Sequence, residues 1–434
     1  MDRVILHCDC NSFFASVECL RDPSLWSVPM AVCGSVEDRR GIVLAKNEPA
    51  KKFGIRTAET VYSAKRKCPG LVIVPPHHGE YARVSRAVNE IYARFTDVYE
   101  PFSIDESWLD VTGSRALFGS GSEIAEKIRT AVKTEIGITI SIGVSFNKTF
   151  AKLGSDYKKP DAITVIDRQN YKDILYPLPV EDMLFVGGRT AEILRSSGIR
   201  TIGDLATASP AFLVARLGKA GAQLGAAARG EDTSEVIPPE AAPEVKSVGN
   251  GMTFRHDITS REEIRLGLGV LSEEIGERLR RRGLRASTVS VTIKDPALRS
   301  ISRQRAVDPP TDLGREIAAA AEGLVDAEWG SGKPIRMLTV TAMNLVGDDG
   351  GEQIGFFDAE RDRRRERAER LETAVDGIRG RFGSGAVFRG AILGNDLGID
   401  GAEATPAPRR SRDAGHPPEK NGEDRTHSEE KNRK

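Results

Sequence analysis

The chain has no excess of either charge: 63 Lys and Arg residues balance 63 Asp and Glu residues over 434 positions. A uniformly basic chain is therefore excluded, and any site for a polyanion has to come from local clustering of cations. Cysteine is scarce. Five cysteines, an odd number without a Cys-x-x-Cys pair, argue against a disulfide framework and for a reducing compartment. Cys8 and Cys10 lie near His7, but strand alternation sends His7 to the opposite face, which argues against zinc. Also missing are a run of about twenty apolar residues and the long apolar core of a signal peptide. The expectation is a soluble, cytoplasmic protein with no membrane contact. Its length exceeds one ordinary core, so about two to four domains are expected.

What the chain does have is an acidic interruption in an apolar stretch, Pro101-Phe102-Ser103-Ile104-Asp105-Glu106-Ser107-Trp108-Leu109-Asp110-Val111. Alternation puts Phe102 and Ile104 on one face before the break and Leu109 and Val111 after it, which predicts a β-hairpin with an acidic tip. Adjacent ionised carboxylates repel, and a divalent cation with oxygen ligands relieves the repulsion. A solvated turn would show the same local pattern. A second acidic strand weighs against that alternative. Over Arg3 to Cys10, Ile5, His7 and Asp9 share one face while Leu6, Cys8 and Cys10 share the other. If this strand lies beside the hairpin, Asp9, Asp105 and Glu106 form a carboxylate cluster suited to two Mg²⁺ ions and phosphoryl transfer.

Several stretches in one order carry a resemblance: Asp9-Cys10-Asn11-Ser12-Phe13-Phe14-Ala15-Ser16-Val17-Glu18, Ala45-Lys46-Asn47-Glu48-Pro49-Ala50-Lys51-Lys52-Phe53-Gly54, Ser103 to Ser107, Gly143-Val144-Ser145-Phe146-Asn147-Lys148 with Ala151-Lys152, and Lys158-Lys159-Pro160. Over residues 1 to 395 the chain resembles the Y-family, translesion DNA polymerases of the DNA polymerase IV type. The resemblance implies an α+β multidomain fold, with a palm, fingers and thumb polymerase core and a C-terminal little finger domain. It also implies catalysis by Asp9, Asp105 and Glu106, with the Cys10 carbonyl as a further metal ligand. Phe14 aligns with the steric gate that excludes a ribose 2′-hydroxyl, and Phe13 stands beside it, as core and as part of the substrate pocket. Lys51 and Lys159 are the expected triphosphate contacts. Asn11 stands where many relatives carry Asp, with little catalytic consequence expected, because the family's metal ligands on this strand are the preceding Asp and a carbonyl. Glu48 and Lys51 replace a Tyr and an Arg; Lys51 keeps the charge without the bidentate fork, and Glu48 would repel phosphate unless it turns away.

Along the chain, residues 1–177 read as palm and fingers. Val84, Val88, Ile91, Tyr92 and Phe95 predict a core helix over Tyr81 to Thr96, and a further helix over Ile124 to Glu135 precedes a strand over Ile138 to Val144. Strands and helices alternating in this way predict a sheet backed by helices. Residues 178–237 read as a thumb of short helices. Val186-Gly187-Gly188-Arg189-Thr190 resembles a helix-hairpin-helix turn, making Gly187 and Arg189 candidate DNA contacts; Phe185 occupies a place where relatives often have Gly.

A linker at 238–243 precedes residues 244–347. There the order strand, helix, strand, strand, helix, strand is ferredoxin-like and matches the little finger. Its arginines, among them Arg303 and Arg305 on the strands and Arg278, Arg280, Arg281, Arg282 and Arg285 near one helix end, form a candidate phosphate surface. Glu273, Glu274 and Glu277 are placed to pair with some of them.

In residues 348–400, Gln353, Phe356 and Phe357 resemble the peptide that docks into the replication sliding clamp, followed by a charged helix over Ala359 to Arg381. Residues 401–434 are low in apolar residues and predict a disordered tail. The implied partners are primer-template DNA, deoxynucleoside triphosphates and the clamp, met as a monomer, and the implied activity is low-fidelity synthesis past damaged bases. Two other readings compete. A nucleotide cyclase would share the two-metal carboxylates but has no use for the hairpin or the arginine-rich domain, and a non-catalytic DNA-binding relative would not need all three carboxylates.

Overall fold

The computed structural model describes residues 2–241, 243–330, 332–347 and 359–399. The chain forms two compact units, residues 1–350 with 396–398, and residues 351–395 with 399–434.

The first unit opens with strand β1 (Ile5–Cys10) and helix α1 (Phe13–Arg21), then β2 (Met30–Cys33), β3 (Val43–Lys46), α2 (Glu48–Lys51), α3 (Val61–Lys67) and β4 (Val72–Val74). Helix α4 (His78–Ala93) leads to the hairpin β5 (Tyr99–Pro101) and β6 (Glu106–Asp110). Next come α5 (Arg115–Phe118), α6 (Gly121–Ala131), β7 (Ile140–Ser145), α7 (Lys148–Tyr157) and β8 (Ile163–Val165). The main sheet has the order β5-β6-β1-β7-β8, and β3-β2-β4 forms a small second sheet. In the main sheet β1 runs antiparallel to both β6 and β7.

The alternation read in β1 decides which layer covers each face. Leu6, Cys8 and Cys10 pack with Tyr81, Val84, Val88, Ile91 and Tyr92 of α4 and Ile124 and Ile128 of α6. On the other face Ile5 meets Trp108 and Ala151 of α7. All five cysteines are buried and unpaired. Helix α6 follows a capping box at Ser120 and Glu123; beyond Ala131 it continues as one wider π turn over Val132–Ile136, so its α-helical part is shorter than the sequence predicts.

Small helices follow: α8 (Tyr171–Leu175), α9 (Gly188–Ser196), α10 (Ile202–Thr207), α11 (Pro210–Leu217) and α12 (Lys219–Ala228), sharing a core that includes Leu194, Ile202, Leu205, Leu213 and Leu224. Pro239–Ala241 makes a single 3-10 turn. Then come β9 (Ser247–Ile258), α13 (Arg261–Arg280), β10 (Leu284–Lys294), β11 (Ser300–Thr311), α14 (Gly314–Glu328) and β12 (Ile335–Gly347). Their sheet has the order β11-β10-β12-β9, antiparallel throughout. Each βαβ unit is thus split by a strand of the other, with the domain's second and fourth strands at the centre. In the second unit, α15 (Ala359–Phe382) is the charged helix expected there.

Candidate active site

The site grows from the register of β1 and β6. Asp9 lies directly opposite Glu106, so both side chains leave the same face of the sheet. Asp105 precedes Glu106 at the tip of the hairpin, which is closed by the Phe102 and Ser103 N–H groups donating to the Glu106 carbonyl. The Cys10 N–H donates to the Asp105 carbonyl at 3.0 Å, and the Ser103 hydroxyl donates to Asp105 Oδ1 at 2.7 Å. Asp9, Cys10, Asp105 and Glu106 line one cavity of about 340 Å³ together with Phe13, Phe14, Lys51 and Lys159. The first-strand and hairpin carboxylates and the expected nucleotide-contacting residues therefore converge.

Two ammonium groups sit among the carboxylates. Lys152 Nζ on α7 reaches Glu106 Oε1 at 2.8 Å, Asp9 Oδ2 at 3.3 Å and Asp156 Oδ2 at 3.1 Å. Lys159 Nζ reaches Asp9 Oδ2 at 2.5 Å and Asp156 Oδ1 at 2.7 Å. Burial alone would raise the Asp9 pKa, but Lys159, the Asp9–Glu106 hydrogen bond and Lys152 together hold it below the usual carboxylate range. Glu106 goes the other way, to about 7, through burial and its hydrogen bond with Asp9. Two ammonium groups contact Asp9 and one contacts Glu106, which favours the ionised form at Asp9. Burial also raises Asp105. His7, fully buried beneath Glu106, has its pKa lowered well below the usual histidine range by burial and by Lys152, so it stays neutral.

The donor set fits divalent metal. Carboxylate and carbonyl oxygens are hard ligands, and burial together with the facing Asp9 disfavours a second negative charge at Glu106, a penalty that a divalent cation would relieve.

Phe14 is half-buried at the cavity wall. Its ring stacks on Tyr81 at 4.1 Å between centroids, 13° from parallel, and meets His78 edge-on at 5.8 Å. Tyr81 is anchored in turn, its hydroxyl donating to the buried Glu18 carboxylate at 2.5 Å, where Arg21 also binds at 2.8 Å. Phe13 belongs mainly to the core, at 3 % exposure, and shows the cavity only an edge. Glu48 does not itself line the cavity, but it holds two residues that do: it pairs with Lys51 at 2.5 Å and accepts from the Ser12 hydroxyl at 3.5 Å.

Two contributors were not read as such in the sequence. Lys152 stands four residues after Lys148 and four before Asp156, on one face of α7, and that periodicity was the available signal. Asn11, read as having little catalytic consequence, clasps the loop that carries Lys159: its Oδ1 accepts from the Asp161 N–H at 2.8 Å and its Nδ2 donates to the Ser141 hydroxyl at 2.9 Å. No local pattern announces that contact, which spans 150 residues.

The remaining candidates lie apart from the cavity. Gly187 caps α9, which starts at Gly188, and a Cβ at either glycine would meet nothing within 4 Å; Arg189 beside them is exposed. Phe185 adopts the left-handed region at φ 68° and is 76 % exposed, the conformation that a glycine would take without cost. Arg303 and Arg305 stand opposite Val291 and Val289 on the edge strand β11. They therefore share the helix-packed side of the sheet, where Arg303 pairs with Glu328 of α14 at 2.9 Å. Arg281 pairs with Glu277 and Arg278 with Glu274, the expected helix-surface pairs. Gln353, Phe356 and Phe357 lie outside the described residues, as does the 401–434 tail. Among the described residues no helix is long and apolar enough to cross a membrane.

The sequence matches the impB/mucB/samB family over residues 8–156 and that family's C-terminal domain over residues 245–356. It is 48% identical over 400 residues to the DNA polymerase IV of Acetivibrio thermocellus, covering 92% of this chain and 100% of that protein. It is 36% identical over 398 residues to the DNA polymerase IV of Clostridium kluyveri, covering 91% and 99%. Its fold is similar to that of a Y-family DNA polymerase chimera, with a TM-score of 0.71 at 23% identity, covering 79% of this chain and 99% of that one. With family matches at both ends and relatives of full length, the chain belongs to the Y family of DNA polymerases, in its DNA polymerase IV branch.

Proposed function

We propose that this protein is a template-directed DNA polymerase that extends primers past damaged bases with low fidelity, using Asp9, Asp105, Glu106 and the Cys10 carbonyl to hold two Mg²⁺ ions. The observation that carries the proposal is the convergence of the three carboxylates on one cavity with Phe14 and Lys159. When bound, such ions activate the primer 3′-hydroxyl and stabilise charge on the α-phosphate of the incoming nucleotide. Lys159 and Lys51 supply positive charge for the triphosphate. Lys152 keeps Asp9 and Glu106 side by side, and Asn11 holds the Lys159 loop against β1 and β7.

Residues 1–177 act as palm and fingers, 178–237 as thumb and 244–347 as little finger, after the linker at 238–243. Gly187, Arg189, Arg303 and Arg305 are the proposed contacts to DNA backbones, which carry no sequence information directly. The enzyme works in the cytoplasm as a monomer beside the sliding clamp, held there by Gln353, Phe356 and Phe357 in the 348–400 segment.

The direct test is extension of a labelled primer on an undamaged template and on one with an abasic site, with Mg²⁺ and single deoxynucleotides. Addition on both templates is expected; arrest at the abasic site would remove the translesion part. A non-catalytic relative would bind the primer-template and extend neither.

Phe14→Ala should raise ribonucleotide use relative to deoxynucleotide use by ~100-fold, the discrimination that a well-packed steric contact supplies. An unchanged ratio of kcat/KM values for the two sugars would remove the gate assignment. Deleting Gln353 to Phe357 should abolish stimulation by the clamp and leave unstimulated synthesis at its normal rate; stimulation persisting in the deletion variant would sink the clamp-peptide reading.

A further inference from the structure

Three lysines line the cavity: Lys46, Lys51 and Lys159. Two of them are already matched by carboxylates, Lys159 by Asp9 and Asp156 and Lys51 by Glu48 at 2.5 Å. Lys46, at the end of β3, is different. Its Nζ donates to the Thr57 hydroxyl at 2.8 Å, and among the described residues it has no carboxylate partner. Thr57 itself lines the cavity, so the ammonium group is fixed at the wall by a neutral acceptor, and Glu59 and Glu48 act on its charge without pairing with it. Burial and the neighbouring Lys51 lower the Lys46 pKa and outweigh the opposing pull of Glu59 and Glu48; an anion bound at the two amines would favour their charged forms. The carboxylate cluster and the lysine wall bound the same space, which suits a ligand that meets metal ions at one end and ammonium groups at the other.

We infer that Lys46 is a triphosphate-binding residue of this enzyme, sharing with Lys159 and Lys51 the anion-binding task that the pairing of Lys51 with Glu48 weakens. The inference rests on the proposed polymerase reading and deepens it. Lys46 contributes a point charge on a strand end, oriented by Thr57, while Lys51 is spent on Glu48 until that pair opens. A surface pair of this kind is weak, with a median of about 0–1 kcal/mol, so Lys51 is a reserve contact, and Glu48 tunes the affinity for the nucleotide.

Single-nucleotide addition by the full chain tests this, with kcat and KM measured separately and inorganic tripolyphosphate as a competitor that carries neither base nor sugar. Lys46→Met should raise the KM for a deoxynucleoside triphosphate by ~30-fold, the loss expected for a charge-assisted contact, with most of the effect on KM. It should weaken inhibition by tripolyphosphate to a similar degree. Lys46→Arg should keep KM within about threefold of the wild type. Thr57→Val leaves the lysine in place but frees its amine, and should raise KM by a smaller factor. Glu48→Gln, which releases Lys51, should lower KM in the wild type and recover part of the loss in Lys46→Met.

A Lys46→Met enzyme with wild-type KM and unchanged tripolyphosphate inhibition overturns the inference and leaves the polymerase reading standing. Loss of kcat alone in both Lys46→Met and Thr57→Val overturns it as well, since that marks a structural role. If the wild type adds no nucleotide at all, the polymerase reading fails first and this inference with it.

Discussion

Asp105→Asn should lower the rate of nucleotide addition by about 1,000-fold or more while leaving primer-template affinity unchanged. The substitution keeps the size of the side chain and removes its charge. Asp105 is tied to the fold through its backbone, by the Cys10 N–H donating to its carbonyl, and the amide oxygen of Asn can still accept from Ser103, as Oδ1 does now. The hairpin should therefore keep its shape. What is lost is one anionic ligand at the place where transition-state charge has to be balanced, and about 4 kcal/mol of stabilisation corresponds to the stated factor. Glu106→Gln should be comparably inactive. Gln can still meet Lys152 Nζ through its oxygen, as Glu106 Oε1 does at 2.8 Å, so folding is spared while the ligand charge is gone. Single-turnover incorporation separates chemistry from binding, and fluorescence anisotropy of a labelled primer-template reports affinity. Normal turnover by either variant would overturn the carboxylate assignment; loss of DNA binding in step with activity would point to a folding defect.

Much of this site was legible because it is built from short-range patterns. Period-2 alternation in β1 fixed which face carries Asp9, and the observed cores on the two sides of the strand follow it residue by residue. The acidic hairpin was legible too, its tip being closed by neighbours in sequence, but β5 ends at Pro101, so Phe102 and Ile104, read as strand residues, lie in the tip. The pairing of Asp9 with Glu106 was not, because register is a property of two strands that meet only in the fold. Lys152 and Asn11 escaped for a related reason. Each acts on partners more than 40 residues away, and a lysine on a helix face or an asparagine before a helix reads locally as solvation or capping.

In the C-terminal domain the order of helices and strands was visible in hydrophobic periodicity, yet the order of strands in the sheet was not. The face taken by Arg303 and Arg305 followed from the pairing of β11 with β10, which no count of arginines reveals. Phe185 shows the opposite limit, since a non-glycine residue at φ 68° contradicts local preference and becomes visible only in the backbone.

Gly143→Ala should be among the most damaging single substitutions outside the carboxylates, costing about 3 kcal/mol of stability and about 100-fold in activity at temperatures where the protein remains folded. Helix α7 lies directly on β7 at this point. A Cβ on residue 143 would stand 1.9 Å from the Ala151 carbonyl oxygen and 2.5 Å from the Ser155 nitrogen. These are backbone atoms of a helix and cannot turn aside as a side chain would, so the whole helix must shift by roughly an ångström to restore van der Waals distance. Gly154 closes the same contact from the helix side, its own Cβ position lying 3.0 Å from the Gly143 Cα, so the helix has no room to roll instead. The shift reaches the active site because α7 carries Lys152 over Asp9 and Glu106 and leads into Lys159, and a misplacement of about 1 Å in a positioned group costs about 10²-fold in rate. Gly187→Ala is the matched control: φ there is −77° and a Cβ meets nothing within 4 Å, so stability should stay within about 0.5 kcal/mol of the wild type. Calorimetric melting of both variants, with primer extension at a temperature below either transition, makes the comparison. A Gly143→Ala protein that melts with the wild type would mean that α7 and β7 are not in this direct contact, and the placement of Lys152 above the carboxylates would lose its structural support.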